Sequence, residues 1–294
     1  MGELSALGSA VLWACSTIAM RAESGRVPAL VLNSLRSGFA SVAVWLFLIV
    51  AGEAYLLSQV PLSALGSLLS SVLIGMAVGD SLNIRAMHAI GVARAMPISS
   101  TYPLVTALLA VFFLGEPMTP RLALGILVVV GGVALVAFPR GVRPVARPAE
   151  DVKPASTRVG IAMSLTAAVC WALSAILVKP ALGQVEPLIA NGIRLPVACL
   201  VLIGLSLGTR RQTNPFAVKR RSLLVLGVTG CFSALSGGLW LFGVQLAGAA
   251  KASTLSSTAP VFAAPLAALI LGERLTLQVG LGILLTIVGV WLVI

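Results

Sequence analysis

The sequence has little charge. Only 10% of its 294 residues are Asp, Glu, Lys or Arg, against about 25% in a soluble domain. Hydrophobic residues make up 59% of the chain, and the mean hydropathy is +1.06. A soluble core of this length would leave such an apolar excess exposed as large surface patches. The composition therefore excludes an ordinary soluble protein and predicts an integral membrane protein.

Side chains that bind metals, form disulfides or hold phosphates are also scarce. There is one histidine, His88, and all four cysteines lie inside apolar stretches, where they behave as small hydrophobic residues. A zinc site needs several Cys and His ligands, so we expect no metal site and no other cofactor. The Gly-x-x-x-x-Gly-Lys-Ser/Thr pattern of a phosphate-binding loop does not occur in the sequence. ATP hydrolysis within the chain is therefore excluded.

Ten apolar runs follow one another, each about long enough to cross a bilayer. They lie near residues 4–21, 29–50, 62–84, 91–114, 120–138, 158–178, 187–208, 222–246, 251–271 and 277–294. Several connections are very short, so neighbouring helices are expected to be antiparallel hairpins. We predict an all-α integral membrane protein with ten transmembrane helices.

The chain divides into two similar halves. Trp13-Ala14 recurs as Trp171-Ala172, Asn33-x-x-Arg36 recurs as Asn191-x-x-Arg194, and the run from Ser99 to Pro103 recurs from Ser256 to Pro260. The offset stays at 157–158 residues throughout. We predict a first repeat at residues 1–139, a basic, Pro-rich linker at 140–157 and a second repeat at 158–294. Because five helices is an odd number, the second repeat is expected to enter the membrane inverted, as in many transporters.

Lys and Arg predict the orientation, since basic residues favour cytoplasmic loops. The net charge of +11 arises mainly from one set of loops, dominated by residues 140–157 and 210–221. The opposite set carries only Arg121, Lys179 and Lys251. The charge bias therefore predicts that residues 140–157 and 210–221 are cytoplasmic and that both termini are outside, in a bacterial-type inner membrane.

Several repeated motifs resemble those of the EamA-type transporters of the drug/metabolite transporter superfamily. They are Leu12-Trp13-Ala14, Asn33-x-x-Arg36, Ser99-Ser100-Thr101-Tyr102-Pro103, Phe113-Leu114-Gly115-Glu116 and, in the second half, Pro260 with Leu271-Gly272-Glu273-Arg274. The resemblance covers nearly the whole chain as two tandem units. It implies a ten-helix inverted-repeat bundle that moves small metabolites by alternating access, often amino acids and often outward. Such proteins commonly have a basic loop between helices two and three, whereas residues 51–61 carry only Glu53.

The third apolar run holds the most polar cluster inside a span. Ionisable groups there are costly and are candidates for function. At about 100° per residue, Asn83 and His88 lie within about 80° of Asp80, whereas Arg85 points about 140° away. The carboxylate of Asp80 suits proton coupling or the binding of a substrate ammonium group, and the alternative is a structural ion pair with Arg36 or Arg85. His88 is a second candidate for proton coupling or substrate binding, unless it only ends the helix.

Repeated arginines and tryptophans are the next candidates. Arg36 and Arg194 can each bind a substrate carboxylate through two parallel hydrogen bonds, or they bond to helix-end carbonyls as structural groups. Trp13, Trp171 and Trp240 can form the walls of a substrate site by stacking on a cation or an aromatic ring. The alternative for these indoles is anchoring at the membrane interface.

The remaining candidates lie in the second part of each repeat. Ser99 and Tyr102 offer hydroxyl groups beside Pro103, and Gln245 is the repeat counterpart of His88. Pro103 and Pro260 are expected inside helices, where a proline removes one backbone hydrogen bond and forms a hinge. Glu116 and Glu273 end their helices next to glycine, where capping or a gate salt bridge is favoured over substrate binding.

The sequence thus predicts a secondary transporter and not an enzyme. The single buried acid favours a small polar or amphipathic metabolite, such as an amino acid or a related amine or zwitterion, and the resemblance favours export. The alternatives are a broad-specificity drug or cation efflux protein of the same fold, a membrane-embedded enzyme and a non-transporting scaffold. The expected partners are the substrate, the lipid bilayer, and a proton or counter-substrate; nucleic acid is not expected, and the chain is expected to be a monomer or a homodimer.

Overall fold

The computed structural model describes residues 1–21, 29–90, 95, 98–137, 157–208, 218, 220–271 and 276–294. Nearly all of these residues are helical, and no strand occurs among them. Apart from its last residue, the predicted linker at 140–157 lies outside the described residues. Most of the basic loop at 210–221 lies outside them as well.

Twelve α-helices follow one another in the described part of the chain. They are α1 Gly2–Arg21, α2 Ala29–Val50, α3 Leu62–Val72, α4 Asp80–Ile90, α5 Tyr102–Leu114, α6 Pro120–Ala137, α7 Thr157–Ala181, α8 Pro187–Gly208, α9 Arg220–Ala247, α10 Ala249–Ser256, α11 Ala259–Leu271 and α12 Leu277–Val293. A short 3-10 helix, Ala54–Gln59, precedes α3, and a π-helical segment, Leu73–Gly79, joins α3 to α4.

Seven helical stretches of the described residues are long and apolar enough to cross a membrane. They are Leu30–Val50, Leu62–Asn83, Pro120–Ala137, Thr157–Ala181, Pro187–Leu207, Arg220–Ala247 and Ala249–Leu269. Two shorter apolar helices, Tyr102–Leu114 and Leu277–Val293, accompany them. The predicted all-helical, multi-pass membrane protein is therefore confirmed. The count of ten crossings stays a prediction, although each predicted run overlaps at least one of the helices.

The helices of one half pack mainly against helices of the other half. α1 packs on α9, α2 on α8, α6 on α12, and the stretch from α3 to α4 on α7. Serine pairs join two of these contacts: Ser16 Oγ lies 3.1 Å from Ser233 Oγ, and Ser71 Oγ lies 2.9 Å from Ser174 Oγ. Lipid tails are as apolar as the helices, so the hydrophobic effect does not drive helix association. Close packing of small residues and interhelical hydrogen bonds stabilise it instead. The two halves therefore form one bundle.

Glycines bring α6 and α12 into backbone contact. A Cβ added to Gly132 would lie 2.7 Å from the backbone nitrogen of Thr286 and 2.8 Å from the carbonyl oxygen of Gly282. A Cβ at Gly282 would lie 2.8 Å from the carbonyl oxygen of Gly132. Only hydrogen side chains fit at these two positions, so the α6–α12 contact cannot accept larger residues without separating the helices.

Two predicted spans are interrupted near the middle of the bundle. The π-helical segment Leu73–Gly79 contains one extra residue per turn and ends directly before Asp80. In the second half, α10 ends at Ser256 and α11 begins at Ala259 after a short turn. These irregular segments place polar backbone and side chains inside the bundle, where other helices cover them.

The two candidate hinge prolines lie at helix starts rather than inside helices. Pro103 occupies the first turn of α5, and Pro260 is the second residue of α11. Proline lacks a backbone N–H, and the first turn of a helix has no intrahelical use for that group. The expected mid-helix position is therefore wrong. The breaks precede the prolines, and any hinge at these places would be the turn rather than a kinked helix.

Candidate functional site

Asp80 begins a chain of contacts that joins four helices. Its Oδ1 accepts a hydrogen bond from Trp171 Nε1 of α7 at 2.8 Å. The Trp171 ring packs edge-to-face on Tyr102 of α5, with 5.8 Å between centroids and 82° between the planes. The Tyr102 hydroxyl donates in turn to the carbonyl oxygen of Ser253 in α10 at 2.9 Å. The position of the carboxylate is thus coupled to the interrupted helix of the second half.

The glycine before Asp80 makes this contact possible. A Cβ at Gly79 would lie 3.0 Å from Trp171 Cδ1 and 3.1 Å from Trp171 Nε1. The indole therefore lies directly against the backbone of the π-helical segment. Because a π-bulge often marks a functional position, the local geometry agrees with a specialised role for the residue that follows it.

Arg36 of α2 approaches the same region from the other side. Its Nη2 donates to Asn33 Oδ1 at 2.6 Å, and its Nη1 donates to Ser233 Oγ of α9 at 2.9 Å. The guanidinium carbon lies 4.8 Å from the centroid of the Trp13 ring, a cation–π contact. The side chain of Asn33 lies within interaction range of the Asp80 carboxylate, and Arg36 acts on that carboxylate electrostatically. Asn33 therefore bridges the two charged groups.

Arg194 of α8 repeats the arrangement in the second half. Its Nη2 lies 3.4 Å from Ser71 Oγ of α3, and its guanidinium carbon lies 5.3 Å from the centroid of the Trp240 ring. Each arginine thus reaches a serine of the opposite half and stacks on a tryptophan of its own half. The two sites differ because the residue corresponding to Asp80 is Gly237, which has no side chain. A Cβ there would lie 3.3 Å from Asn191 Oδ1.

Several buried polar atoms in this region have no hydrogen-bond partner among the described residues. They are Asn83 Oδ1, one turn after Asp80, and the Nε atoms of Arg36 and Arg194, together with Ser253 Oγ. Asn83, Arg36 and Arg194 are each 4–6% exposed. Unsatisfied buried polar atoms are costly, so a bound molecule that pairs with Asn83 Oδ1 and Arg36 Nε would recover free energy.

The polar groups of this region are of two kinds, hydrogen-bond acceptors and hydrogen-bond donors. Asp80 and Asn83 present carboxylate and carbonyl oxygens, which accept hydrogen bonds, whereas the guanidinium of Arg36 only donates them. An ammonium group suits the first pair, and a carboxylate suits the second group. Trp13 and Trp171 supply aromatic surface beside them. Among the described residues, no group of three His, Cys, Asp or Glu side chains suits a metal ion.

Of the remaining candidate residues, Gln245 contacts another part of the bundle. Its side chain donates to the carbonyl oxygen of Leu182 at 2.7 Å, just beyond the end of α7. At 1.5 Å per residue, this place is about 16 Å from Trp171 along the helix axis. Ser99 is fully buried and lies just before the turn that precedes α5. His88 lies in α4, but its side chain lies outside the described part of the structure. Arg85 is exposed, so the alternative ion pair with Asp80 does not use this residue.

The structure adds residues that the sequence did not single out. Ser233 accepts a hydrogen bond from Arg36, and Ser71 accepts one from Arg194. Asn33 bridges Arg36 to Asp80. The repeated Asn-x-x-Arg pattern was a usable signal for Asn33. No pattern marks the serines, because serine is common in membrane helices and their partners come from the opposite half.

The profile of the EamA-like transporter family matches the chain twice, at residues 1–138 and 158–294. The chain is also similar to three curated proteins that are named uncharacterized transporters. One, from Archaeoglobus fulgidus, is 25% identical over 99% of this chain and 97% of its own length. YyaM from Bacillus subtilis is 26% identical over 77% of this chain and 72% of its own length. YvbV from the same organism is 29% identical over 46% of this chain and 44% of its own length.

A solved crystal structure shares the fold. It superposes with a TM-score of 0.80, covers 99% of this chain and 94% of its own chain, and is 18% identical. The likeness concerns the arrangement of the helices alone. Together with the two family matches that cover almost the whole sequence, it agrees with the apolar helices described above. The chain belongs to the EamA-like transporter family of the drug/metabolite transporter superfamily.

Proposed function

We propose that this membrane transporter is a secondary active carrier for a small zwitterion, such as an amino acid or a related amine that carries a carboxylate. The carrier works by alternating access and exports its substrate across a bacterial-type inner membrane. One observation carries the proposal above the others. Asp80 lies one turn before Asn83, whose Oδ1 has no partner among the described residues. Buried Arg36, whose Nε also has none, acts electrostatically on the Asp80 carboxylate.

In this account the substrate ammonium binds Asp80 and Asn83, and the substrate carboxylate binds Arg36. Arg36 donates through Nη1 to Ser233 and through Nη2 to Asn33. Its Nε has no partner among the described residues, so that N–H is available to a ligand. Trp13 and Trp171 form aromatic walls, with Tyr102 behind Trp171. Arg194 and Trp240 serve as the matching arginine–tryptophan pair of the second half, which lacks an acid.

The account includes ten crossings in two inverted repeats, with the cytoplasmic side at residues 140–157 and 210–221. The constant offset between repeated motifs and the packing of each half on the other support this arrangement. Inverted repeats place the substrate between the halves near the bilayer midplane. Asp80 carries the coupling proton when the site is empty, and His88, two turns later on α4, is the second candidate for proton transfer.

The alternative function is efflux of organic cations or drugs by the same fold. The aromatic surface around a single acid favours it, because aromatic rings and a carboxylate together recognise cations. The two functions differ in whether the ligand needs its own carboxylate. An amine without a carboxylate would bind in the efflux account and would leave Arg36 unpaired in the zwitterion account.

A thermal-shift panel on the purified protein tests the proposal, because a ligand that binds the folded state raises apparent stability. The panel contains neutral amino acids, the matching amines without a carboxylate and the matching acids without an ammonium group. We expect stabilisation by at least one zwitterion and weaker stabilisation by its two truncated forms. Asp80→Asn abolishes the effect, whereas Glu53→Gln, a control outside the long spans, retains it. Stabilisation by amines alone would favour efflux, and an undiminished response in the folded Asp80→Asn variant would contradict the site.

A further inference from the structure

Glu116 binds the start of α10 from another part of the bundle. It follows Gly115, the left-handed residue that ends α5, with φ of 64°. Its Oε1 accepts a hydrogen bond from the backbone nitrogen of Ala249 at 2.6 Å, and its Oε2 accepts one from Ala250 at 3.1 Å. The carboxylate thus satisfies two amide groups that the first turn of a helix leaves without an internal partner.

Gly248 makes room for this carboxylate. Its φ of 92° lies in the region that favours glycine, and a Cβ there would lie 2.9 Å from both carboxylate oxygens of Glu116. Gly248 also separates α9 from α10, so the chain changes direction at the point that Glu116 contacts. A side chain at position 248 would therefore displace the Glu116 carboxylate from its place beside α10.

Lys179 binds the other side of the same break. Its Nζ donates to the carbonyl oxygens of Val244 at 2.7 Å and of Gln245 at 2.9 Å, in the last turn of α9. The side chain of Gln245 then donates to the carbonyl oxygen of Leu182, just after α7. Lys179 and Glu116 are close enough to act on each other electrostatically.

The two charges complement the ends of the two helices. A cation is favoured at the carbonyl end of α9, and an anion is favoured at the amide end of α10. Glu116 comes from the first half of the chain, whereas Lys179, α9 and α10 come from the second half. These contacts therefore join the two halves at the end of the bundle that also carries the start of α1, since Lys251 of α10 lies 3.5 Å from Glu3.

The sequence repeats these residue types together. Glu116 corresponds to Glu273 and Gly248 corresponds to Gly91 at an offset of 157, and Lys179 corresponds to Arg21 at an offset of 158. An acid, a glycine and a base thus recur as a set. The set therefore follows the repeat of the two halves, with its second copy at the corresponding positions of the sequence.

We propose that Glu116 and Lys179 form a latch that keeps the transport site closed at this end of the bundle. The latch is released when Glu116 leaves the amide groups of α10. The inference rests on the proposed transport function and adds the device that controls access. The latch is connected to the site through α10. Glu116 accepts a hydrogen bond from the first turn of that helix, and Tyr102 donates one to the carbonyl oxygen of Ser253, one turn further on.

Cysteine labelling in lipid nanodiscs, which expose both membrane faces, tests the latch without any substrate. All four native cysteines are replaced, and Ser253→Cys supplies the single reactive group. Ser253 is fully buried and its Oγ has no partner among the described residues, so its replacement by cysteine breaks no hydrogen bond seen there. The rate of reaction with a membrane-impermeant maleimide is compared between the parent, Glu116→Gln and Glu186→Gln. Glu186 is an exposed carboxylate in the turn between α7 and α8, at the same end of the bundle.

The latch predicts that Glu116→Gln raises the labelling rate at least about tenfold, because the amide side chain loses the charge-assisted part of both hydrogen bonds. Glu186→Gln leaves the rate unchanged. Lys179→Gln, the second variant, raises the rate in the same way and serves alone if Glu116→Gln does not elute as a folded species. An unchanged rate in the folded variants would overturn the latch.

The labelling result is independent of the substrate site. If the latch fails and the proposed function holds, Glu116→Gln labels as the parent does while Asp80→Asn still abolishes ligand stabilisation. If the proposed function fails and the latch holds, labelling rises but Asp80→Asn has no effect on the ligand response. The two failures are therefore seen in different measurements.

Discussion

Replacing each arginine of the related pair separates substrate binding from structural support. Arg36→Gln and Arg194→Gln both remove a buried guanidinium that stacks on a tryptophan and bonds to a serine of the opposite half. Each change leaves former partners unpaired in the bundle, and we expect each to cost about 1–3 kcal/mol of stability. Only Arg36 acts on Asp80, so only Arg36→Gln is expected to alter ligand binding.

The expected loss of affinity follows from the Nε donor of Arg36, which has no partner among the described residues. A substrate carboxylate would accept hydrogen bonds from a charged group, and such bonds contribute about 1.5–3 kcal/mol. At about 1.4 kcal/mol per factor of ten, Arg36→Gln weakens binding of a zwitterion by about 10- to 150-fold. The affinity for the same amine without a carboxylate does not fall, because that ligand never uses the guanidinium.

Titration calorimetry on the wild type and both variants measures these affinities, with the melting temperature as the check on folding. Arg194→Gln is the matched control, since it carries the same structural loss outside the acidic half of the site. The reasoning would be refuted if both variants weakened zwitterion binding equally. It would also be refuted if Arg36→Gln weakened binding of the amine as much as that of the zwitterion.

Two further predictions concern the packing that holds the site. Gly132→Ala forces a Cβ to within 2.7 Å of the backbone of Thr286 and is expected to destabilise the protein by about 1–3 kcal/mol. Gly131→Ala, whose Cβ would meet only a side chain at 3.9 Å, leaves the melting temperature unchanged; equal melting temperatures for the two variants would contradict the close contact. Tyr102→Phe removes a 2.9 Å hydrogen bond to Ser253 and is expected to cost about 0.5–1.5 kcal/mol in the same thermal-unfolding assay. A loss above that range would mean that the hydroxyl does more than donate this bond.

The sequence predicted the helical, multi-pass architecture because each helix that crosses the lipid core needs an apolar run of bilayer length. It also singled out Asp80, Arg36 and Trp171, since polar and aromatic groups within apolar spans are rare. It did not predict that Trp171 would donate to Asp80. That contact depends on α7 of one half packing against the segment around Gly79 of the other, which spacing along one chain does not reveal.

Local irregularities were the hardest features to predict. The π-helical segment before Asp80 has an ordinary apolar sequence. It lies close against α7, where a Cβ at Gly75 would meet Ser174 and one at Gly79 would meet Trp171. The prolines were expected inside helices because apolar runs continue through them. Their true place at the start of a helix follows from the turns before them, which hydropathy does not mark.

The latch shows the same limit for long-range contacts. The sequence identified Glu116 as a capping or gating residue from its place beside Gly115. It gave no partner, because the amide groups that Glu116 binds belong to Ala249 and Ala250, more than a hundred residues away. A carboxylate that caps a helix of the other half is recognised only when both halves are assembled.

Counterflow in proteoliposomes tests the central claim most directly. Vesicles loaded with an unlabelled zwitterion that stabilises the protein are diluted into the labelled compound, and uptake is followed in wild type and Asp80→Asn. The account predicts transient accumulation of label in the wild type and at least a tenfold lower rate in Asp80→Asn, which loses the charge that holds the ammonium group. Equal accumulation by the two proteins, both folded and reconstituted in equal amounts, would contradict the claim that Asp80 binds the transported zwitterion.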